Sequence, residues 1–186
     1  GHEAMVVDVG PLGPPLDDPD VSNEKIARLA GWDLRDLLRT PQRDQIMEAM
    51  GKGAARCLLD RYKQGELDGI IGVGGNQGTA IASMAMRVLP IGFPKLIVST
   101  VASGNIRPYI GNKDIVIIFS VADLIGGPNP VSRSILSNAA GALLGMVEYG
   151  QRISLREGER TIAISALGNT EPAVSYAVRS LKEKGF

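Results

Sequence analysis

The sequence predicts an α/β protein of three layers, in which a mainly parallel, open sheet of the Rossmann-like type is covered by helices on both faces. Continuous apolar runs, which are typical of strands buried on both sides, alternate along the 186 residues with segments of helical periodicity. Several of these runs lead into loops rich in Gly, Ser, Thr or Asn, as expected where parallel strands end at a common, ligand-binding edge. Apolar residues make up 44% of the chain, which is enough for a buried core.

The first half of the chain is predicted to contain two strands and three helical segments. Ser22 is a capping residue for the first helix, and Thr40 followed by Pro41 is a typical start for the third. Gly51 and Gly53 weaken the third helix, so we expect close packing against a backbone at these positions. The predicted elements are a strand at residues 4–9, a helix at 23–30, a turn or short helix at 32–39, a helix from Thr40 to Tyr62, and a strand at 69–73.

The second half repeats this alternation. Asn129 is a capping residue for a helix whose first position is Pro130, and this helix carries many small side chains. The predicted elements are a helix at residues 80–88, strands at 95–100 and 114–119, a helix at 130–149, a strand at 161–165, and a helix that ends at Glu183.

Three regions follow from this order of elements. Residues 1–150 are predicted to form an α/β domain, residues 151–160 a polar linker, and residues 161–186 a strand-helix unit that cannot bury its own faces. Because the strand at residues 4–9 begins almost at the first residue, we expect upstream residues to be missing.

Composition excludes several classes of function. Twenty basic and twenty acidic side chains cancel and aromatic residues make up only 4%, so we expect neither nucleic-acid binding nor base-stacking surfaces.

The single cysteine, Cys57, excludes an internal disulfide and favours a reducing, cytoplasmic location. No stretch is apolar enough to span a membrane. The only histidine, His2, lies at the start of the chain, so histidine-based triads and metal sites are excluded, and no metal site is predicted.

The glycine-rich segment after the strand at residues 69–73 is the first candidate binding element. A strand-to-helix turn of this kind directs backbone N–H groups and the positive end of a helix dipole toward one point, where a phosphate can bind. The segment lacks both the Gly-Lys-Ser/Thr end of a P-loop and a complete dinucleotide fingerprint. In the alternative interpretation, the glycines only turn a corner beneath a packed helix. The candidate residues are Gly74, Gly75, Asn76, Gln77, Gly78 and Thr79.

A second candidate element follows the next strand, and isolated charged residues complete the predicted site. Arg107 is the predicted cation, unless it only pairs with a surface carboxylate. Asp8 and Asp123 follow strands, and their carboxylates could accept hydrogen bonds from ribose hydroxyls or hold a hydrated magnesium ion. In the alternative interpretation, they act as loop or helix caps. The second cradle is predicted from Ser99, Thr100, Ser103, Gly104 and Asn105.

Two classes of function fit these residues. The first is a domain that binds a nucleotide or another phosphorylated small molecule, as a sensor or as part of an enzyme. The second is an interaction module, a homodimer or higher homo-oligomer, assembled through the small-residue helix at residues 130–149. No catalytic base or nucleophile is identified, so enzymatic activity is left open.

Three motifs resemble one family. They are GVGGNQGTA at residues 72–80, KLIVSTVASGNIRPYIG at 95–111 and DIVIIFSVADLIGGPNPVSRSILSNAAGALLGMVE at 114–148. In this order they are similar to the amino-terminal domain of the tomato mosaic virus resistance protein family, which is Tm-one-like and whose microbial members are mostly uncharacterised. The resemblance implies an ATP-binding domain, with or without magnesium. It also implies an additional first strand, which this first domain lacks, and identifies residues 161–186 as the first strand-helix unit of a truncated second domain. The plant protein uses this region to inhibit viral replication proteins, which need not hold for microbial relatives.

Overall fold

A computed structural model of the chain describes residues 1–12, 18–39, 42–124, 127, 129–151, 153 and 162–186. The chain divides into two compact units, Gly1–Arg152 and Ile153–Phe186. The predicted helix start at Thr40 and Pro41, and residues 152 and 154–161 around the predicted linker, lie outside the described residues. Within the described ranges, no helix combines the length and apolar character that crossing a membrane requires.

The first unit alternates helices and strands as the sequence predicts. Its helices and strands are α1 (Asn23–Leu29), α2 (Leu34–Arg39), α3 (Arg43–Lys63), β1 (Ile70–Gly74), α4 (Asn76–Met86), β2 (Lys95–Ser99), α5 (Arg107–Ile110), β3 (Val116–Phe119) and α6 (Pro130–Tyr149). The described part of the second unit contains a 3₁₀ turn (Gly168–Thr170) and α7 (Glu171–Glu183).

The sheet is parallel and open, with the strand order β1-β2-β3. Ile70 pairs with Lys95 at one end of β1 and Gly74 pairs with Ser99 at the other, while β3 pairs with the opposite edge of β2. All five residues of β2 are buried, because α4 packs on one face of the sheet and α6 on the other. The predicted α/β class, with a parallel sheet between helices, is therefore confirmed.

Glycines in α3 allow neighbouring helices to pack closely. A Cβ atom at Gly53 would overlap the backbone carbonyl of Ile26 in α1, and one at Gly51 would overlap the Met84 side chain of α4. The predicted close packing against a backbone is confirmed at Gly53, whereas Gly51 packs closely against a side chain. The core between α1, α3 and α4 consists mainly of aliphatic side chains, among them Ile26, Met50, Leu58 and Ile81.

Two predicted strands are wrong. Residues 4–9 form only an isolated parallel bridge between Val7 and Val21, because the partner segment enters α1 directly after Val21, where Ser22 caps the helix. Residues 162–165 also form no strand. A strand requires a hydrogen-bonded neighbour, and the described part of the second unit provides only a 3₁₀ turn and α7.

An ion pair between the buried Lys95, at the start of β2, and the exposed Asp114, just before β3, joins these two strands. The Lys95 side chain is fully buried, and its Nζ donates to the carbonyls of Pro90 (2.7 Å) and Phe93 (2.8 Å) and to Asp114 Oδ1 (2.8 Å). Asp114 Oδ2 accepts from the Gly92 N–H (2.7 Å). Each donor of the ammonium group therefore has an acceptor, which offsets the cost of burying the charge.

This ion pair should make the free energy of unfolding depend on pH in the acidic range. Burial raises the pKa of Asp114, but the hydrogen bonds from Lys95 and Gly92 and the charge of Lys95 outweigh burial and lower that pKa below 3.8. The folded-state pKa of Asp114 lies below its unfolded-state pKa, so the ion pair makes its full contribution to the free energy of unfolding at pH values above the unfolded-state pKa. This contribution is lost as the pH falls through the folded-state pKa.

We predict that Asp114→Asn lowers the free energy of unfolding at pH 7 by about 1–3 kcal/mol, because the Lys95 ammonium loses its charged partner. The loss should shrink as wild type is titrated below pH 4. Urea unfolding at a series of pH values measures both effects. Glu48→Gln, which breaks the exposed pair with Lys52, is the matched control and should change stability by less than about 0.5 kcal/mol. Equal effects of the two variants would contradict the assignment.

Candidate functional site

The turn between β1 and α4 is tighter than the sequence predicts. β1 ends at Gly74 and α4 begins at Asn76, with Gly75 as the N-cap residue, so residues 76–79 form the first helical turn rather than a loop. The N–H groups of Asn76, Gln77 and Gly78 therefore have no acceptor within the helix. Gly75 has no side chain to cap them, and they lie at the positive end of the helix dipole.

Most glycines of this turn serve packing. A Cβ atom at Gly74 would lie 2.7 Å from the Gly78 Cα, and one at Gly72 would lie 2.7 Å from the Ala82 Cβ, so these positions let α4 approach β1 closely. Gly75 differs, because a Cβ atom there would meet only Thr100 Oγ1, at an ordinary 3.5 Å. The packing interpretation thus holds for Gly72 and Gly74 but does not account for Gly75.

Buried hydroxyl groups join the two candidate cradles. Thr79 Oγ1 donates to the Gly74 carbonyl (3.3 Å) and lies 2.7 Å from Ser99 Oγ, which accepts from the Val101 N–H (3.2 Å). The Thr100 N–H also donates to the Gly74 carbonyl (3.4 Å). Residues 74–79 and 99–101 are therefore brought together at the carboxyl edge of the sheet. Thr79 and Ser99 are buried, and their hydroxyls are engaged inside the protein rather than presented at its surface.

The rest of the second cradle lies on the surface beside α4. Ser103, Gly104 and Asn105 are exposed, and Asn105 Oδ1 accepts from the Arg107 N–H (3.1 Å) at the start of α5. The Tyr109 hydroxyl donates to Asn76 Oδ1 (2.7 Å). This bond holds α5 against the first turn of α4, while the Arg107 side chain is exposed.

The two predicted carboxylates are placed differently. Asp8 Oδ1 accepts from the Gly10 N–H (2.8 Å), and among the described residues no hydrogen bond joins Asp8 to either cradle. Asp123 is exposed and follows β3 at the carboxyl edge, where the Ser120 N–H donates to the Ser99 carbonyl (2.9 Å). The edge therefore includes the segment that leads to Asp123, whereas Asp8 belongs to the segment that pairs with Val21.

Sequence reasoning missed a cation at the first turn of α4. Arg43 is the first residue of α3, and its guanidinium donates to the side-chain oxygen of Gln77 when that amide is oriented to satisfy both residues. Nothing in the sequence near Arg43 indicates this contact, since it depends on how α3 packs against α4. Tyr109 was missed for the same reason.

The first turns of α4 and α6 differ in how their amides are satisfied. Asn129 Oδ1 accepts from the N–H groups of Val131 and Ser132, so the start of α6 is capped by its own chain as predicted. At α4 the N-cap is glycine, and an arginine lies beside the first turn. The local field at α4 therefore favours an anion more strongly than the field at α6.

The open parallel sheet, the helices on both of its faces and the tight turn between β1 and α4 define an α/β domain of the Rossmann-like class. Residues 1–152 match the family model described as Uncharacterised protein family (UPF0261) N-terminal domain. The chain therefore belongs to the UPF0261 family.

Known relatives come from bacteria and from tomato. A UPF0261 protein of Clostridium tetani (strain Massachusetts / E88) is 42% identical over 186 residues, which are 100% of this chain and 46% of the relative. The ToMV resistance protein Tm-1(GCR237) of Solanum lycopersicum is 44% identical over 141 residues, which are 74% of this chain and 19% of the relative. The ToMV susceptible protein tm-1(GCR26) of the same plant is 40% identical over 148 residues, which are 77% of this chain and 20% of the relative. The chain thus spans less than half the length of these relatives, and the resemblance to the tomato family is confirmed.

The hydroxyl pair should contribute to stability, and we predict that Thr79→Val lowers the free energy of unfolding by about 1–3 kcal/mol. The valine retains the volume but removes the partner of the buried Ser99 hydroxyl. Thr100→Val, at the half-buried neighbouring position, is the matched control and should have an effect within about 0.5 kcal/mol. Chemical denaturation measures both values. If Thr79→Val together with Ser99→Ala costs the full sum of the single variants, the two hydroxyls are not coupled and the contact is wrong.

Proposed function

We propose that this chain is a phosphate-recognising domain whose ligand is a nucleotide, with ATP as the first candidate. The observation that carries the proposal is the first turn of α4, which begins with the N-cap Gly75 at the shared edge of both cradles, next to Arg43. Backbone amides at a helix start, with a cation beside them, form an anion site without any dedicated loop.

The N–H groups of Asn76, Gln77 and Gly78 would donate to phosphate oxygens. Gly75 lets the ligand approach the backbone, since no side chain projects from this position. Arg43 would exchange its contact with Gln77 for a phosphate oxygen, which is a stronger, charge-assisted acceptor than an amide. The exposed Arg107 on α5 is the second cation within this part of the fold.

ATP is favoured over a bare phosphate by the family resemblance, and the residues fit its phosphate chain. When bound, ATP supplies a polyphosphate anion whose oxygens are also the usual ligands of magnesium. Asp123 follows β3 at the same edge and is the candidate carboxylate for a hydrated metal or a ribose hydroxyl. Asp8 is not part of the proposed site, because its side chain accepts from the Gly10 N–H and caps its own turn.

Resistance to a virus is part of the name of a tomato relative and is not proposed for this chain. The tomato proteins share only about a fifth of their own length with it. We infer a cytoplasmic location from the buried, unpaired thiol of Cys57, which agrees with a reducing compartment.

A carboxylate at position 75 should block the site without unfolding the protein. Aspartate is a favourable N-cap residue, so we predict that Gly75→Asp keeps the melting temperature of the ligand-free protein or raises it slightly. Its side chain would occupy the α4 amides and repel phosphate, so the thermal stabilisation by ATP should disappear. Differential scanning fluorimetry with ATP, ADP, AMP, pyrophosphate and adenosine measures the response and identifies which part of the ligand is recognised.

Gly75→Ala is the matched control for this experiment. It adds only the Cβ atom, which has room beside Thr100, and should retain the response to ATP despite a loss of up to about 1 kcal/mol in folding stability. A Gly75→Asp protein that responds to ATP like wild type would contradict the proposed site.

Arg43 should contribute charge to the bound state. We predict that Arg43→Gln weakens ATP binding by about tenfold, since a charge-assisted hydrogen bond to phosphate is lost. Arg39→Gln removes the same charge from the exposed pair with Asp36 on α2 and should leave the affinity within about twofold. Isothermal titration calorimetry at fixed ionic strength measures both affinities. Equal losses in the two variants would show a general effect of net charge rather than a contact.

A further inference from the structure

Phe119 is an exposed aromatic side chain at the carboxyl edge of the sheet. It is the last residue of β3, and 39% of its surface is accessible to water. Val121, two residues further along the chain, is 68% exposed. Apolar surface in water is unfavourable, and ligands of open parallel sheets bind outside the carboxyl ends of the strands. The two side chains thus leave apolar surface at the edge where such ligands bind.

The ring of Phe119 lies on the face of the sheet that carries α4. Ile97 and Ile117 are paired in the register of β2 and β3, and both pack in one cluster with the end of α4. Side chains alternate between the two faces of a strand, so residues two positions apart share a face. Phe119, which is paired with Ser99, therefore lies on the face from which Ser99 contacts Thr79 of α4.

The short helix α5 links this face of β3 to the proposed phosphate site. Tyr109 donates to the side chain of Asn76 in the first turn of α4 (2.7 Å). The next residue, Ile110, packs in the same cluster as Ile117 of β3. Phe119 lies two residues beyond Ile117, toward the carboxyl edge. The first turn of α4, the helix α5 and the Phe119 ring therefore border one region on a single face of the sheet.

The spacing of the strands fits the size of a nucleotide. α4 follows directly after β1, Phe119 ends β3, and β2 lies between these two strands. Neighbouring strands are about 4.8 Å apart, so the carboxyl ends of β1 and β3 are about 10 Å apart. A base that is joined through a ribose to a phosphate chain can cover a distance of this order.

A phenylalanine ring is chemically suited to a nucleobase. Aromatic side chains stack on the π-face that every base presents. A surface for single strands needs a series of such rings, which the 4% aromatic content does not provide, whereas a mononucleotide needs only one. An inorganic polyphosphate has no π-face and would gain nothing from the ring. Phe119 can therefore distinguish a nucleotide from a bare phosphate chain.

We propose that Phe119 stacks on the base of the nucleotide whose phosphates bind at the first turn of α4. This inference rests on the proposed function, because it places the base relative to the phosphate site. It assigns the two tasks of recognition to separate groups. The backbone amides of α4 and Arg43 bind the phosphate chain, and Phe119 selects ligands that carry a base.

Comparison of ATP with tripolyphosphate tests the stacking contact. Wild type should bind ATP at least about tenfold more tightly than tripolyphosphate. Phe119→Leu keeps an apolar side chain but removes the aromatic ring, so it should weaken ATP binding about tenfold and leave tripolyphosphate binding within about twofold. Phe119→Tyr retains a ring that can stack and should bind ATP like wild type. Isothermal titration calorimetry of the full chain at fixed ionic strength measures each dissociation constant.

Val116→Leu is the matched control. Val116 is 42% exposed at the opposite end of β3, and it shares the α6 face of the sheet with Ile118. This change should alter neither affinity. The melting temperature of each ligand-free variant shows whether folding is retained.

Three results would overturn the stacking contact and leave the phosphate site in place. They are equal affinities of wild type for ATP and tripolyphosphate, equal weakening of both ligands by Phe119→Leu, and a Phe119→Leu protein that binds ATP like wild type. A wild-type chain that binds neither ligand would instead refute the proposed function, and the stacking contact with it.

Discussion

The direct contact between the backbones of β1 and α4 determines the arrangement of the whole carboxyl edge. Because Gly74 has no side chain, the first turn of α4 lies close against the end of β1, and a Cβ atom at Gly74 would lie only 2.7 Å from Gly78 Cα. This closeness places Thr79 beneath the turn, within hydrogen-bonding distance of both the Gly74 carbonyl and Ser99. The second cradle is then positioned by Ser99 and Thr100 rather than by its own loop. A longer connection between β1 and α4 would remove both hydrogen bonds of Thr79, so the shape of the edge depends on the absence of a side chain at Gly74.

The contact between β1 and α4 also determines which polar groups at the carboxyl edge of the sheet are hydrogen-bonded within the protein and which are not. Hydroxyls that face the sheet are satisfied within the protein, and no buried side-chain polar atom of the described residues lacks a hydrogen-bond partner. The N–H groups of residues 76–78 receive no acceptor from within α4 or from a side-chain cap. Since a glycine N-cap costs only a few tenths of a kcal/mol relative to serine or aspartate, folding tolerates an uncapped α4 easily. The proposed anion site at this position would therefore cost little stability, because packing against β1 already fixes the turn.

Sequence patterns predicted most of the fold because apolar runs and capping residues act locally. β2 and β3 lie within the predicted strands, and α6 has the predicted bounds with Asn129 as its cap. The start of α4 was predicted too late, since Gly, Asn and Thr are weak helix formers and the helical turn at residues 76–79 depends on packing against β1. Residues 4–9 are apolar enough for a strand, but pairing is decided by the neighbour, which here is only Val21. The candidate site could be located from its glycines, whereas Arg43 and Tyr109 belong to it through contacts between helices that no local pattern encodes.

Polar contacts at the two ends of β2 explain why one register of the sheet is favoured over its alternatives. The strand is apolar along Leu96, Ile97 and Val98, and because β2 is buried on both faces, a shift of one residue would still place apolar side chains in the core. Lys95 at its start requires Asp114 and two carbonyls, and Ser99 at its end requires Thr79. A shift of one residue in either direction would leave an ammonium group and a hydroxyl buried without these acceptors, at a cost of several kcal/mol. The register that satisfies Lys95 at one edge is thus the register that aligns the two cradles at the other.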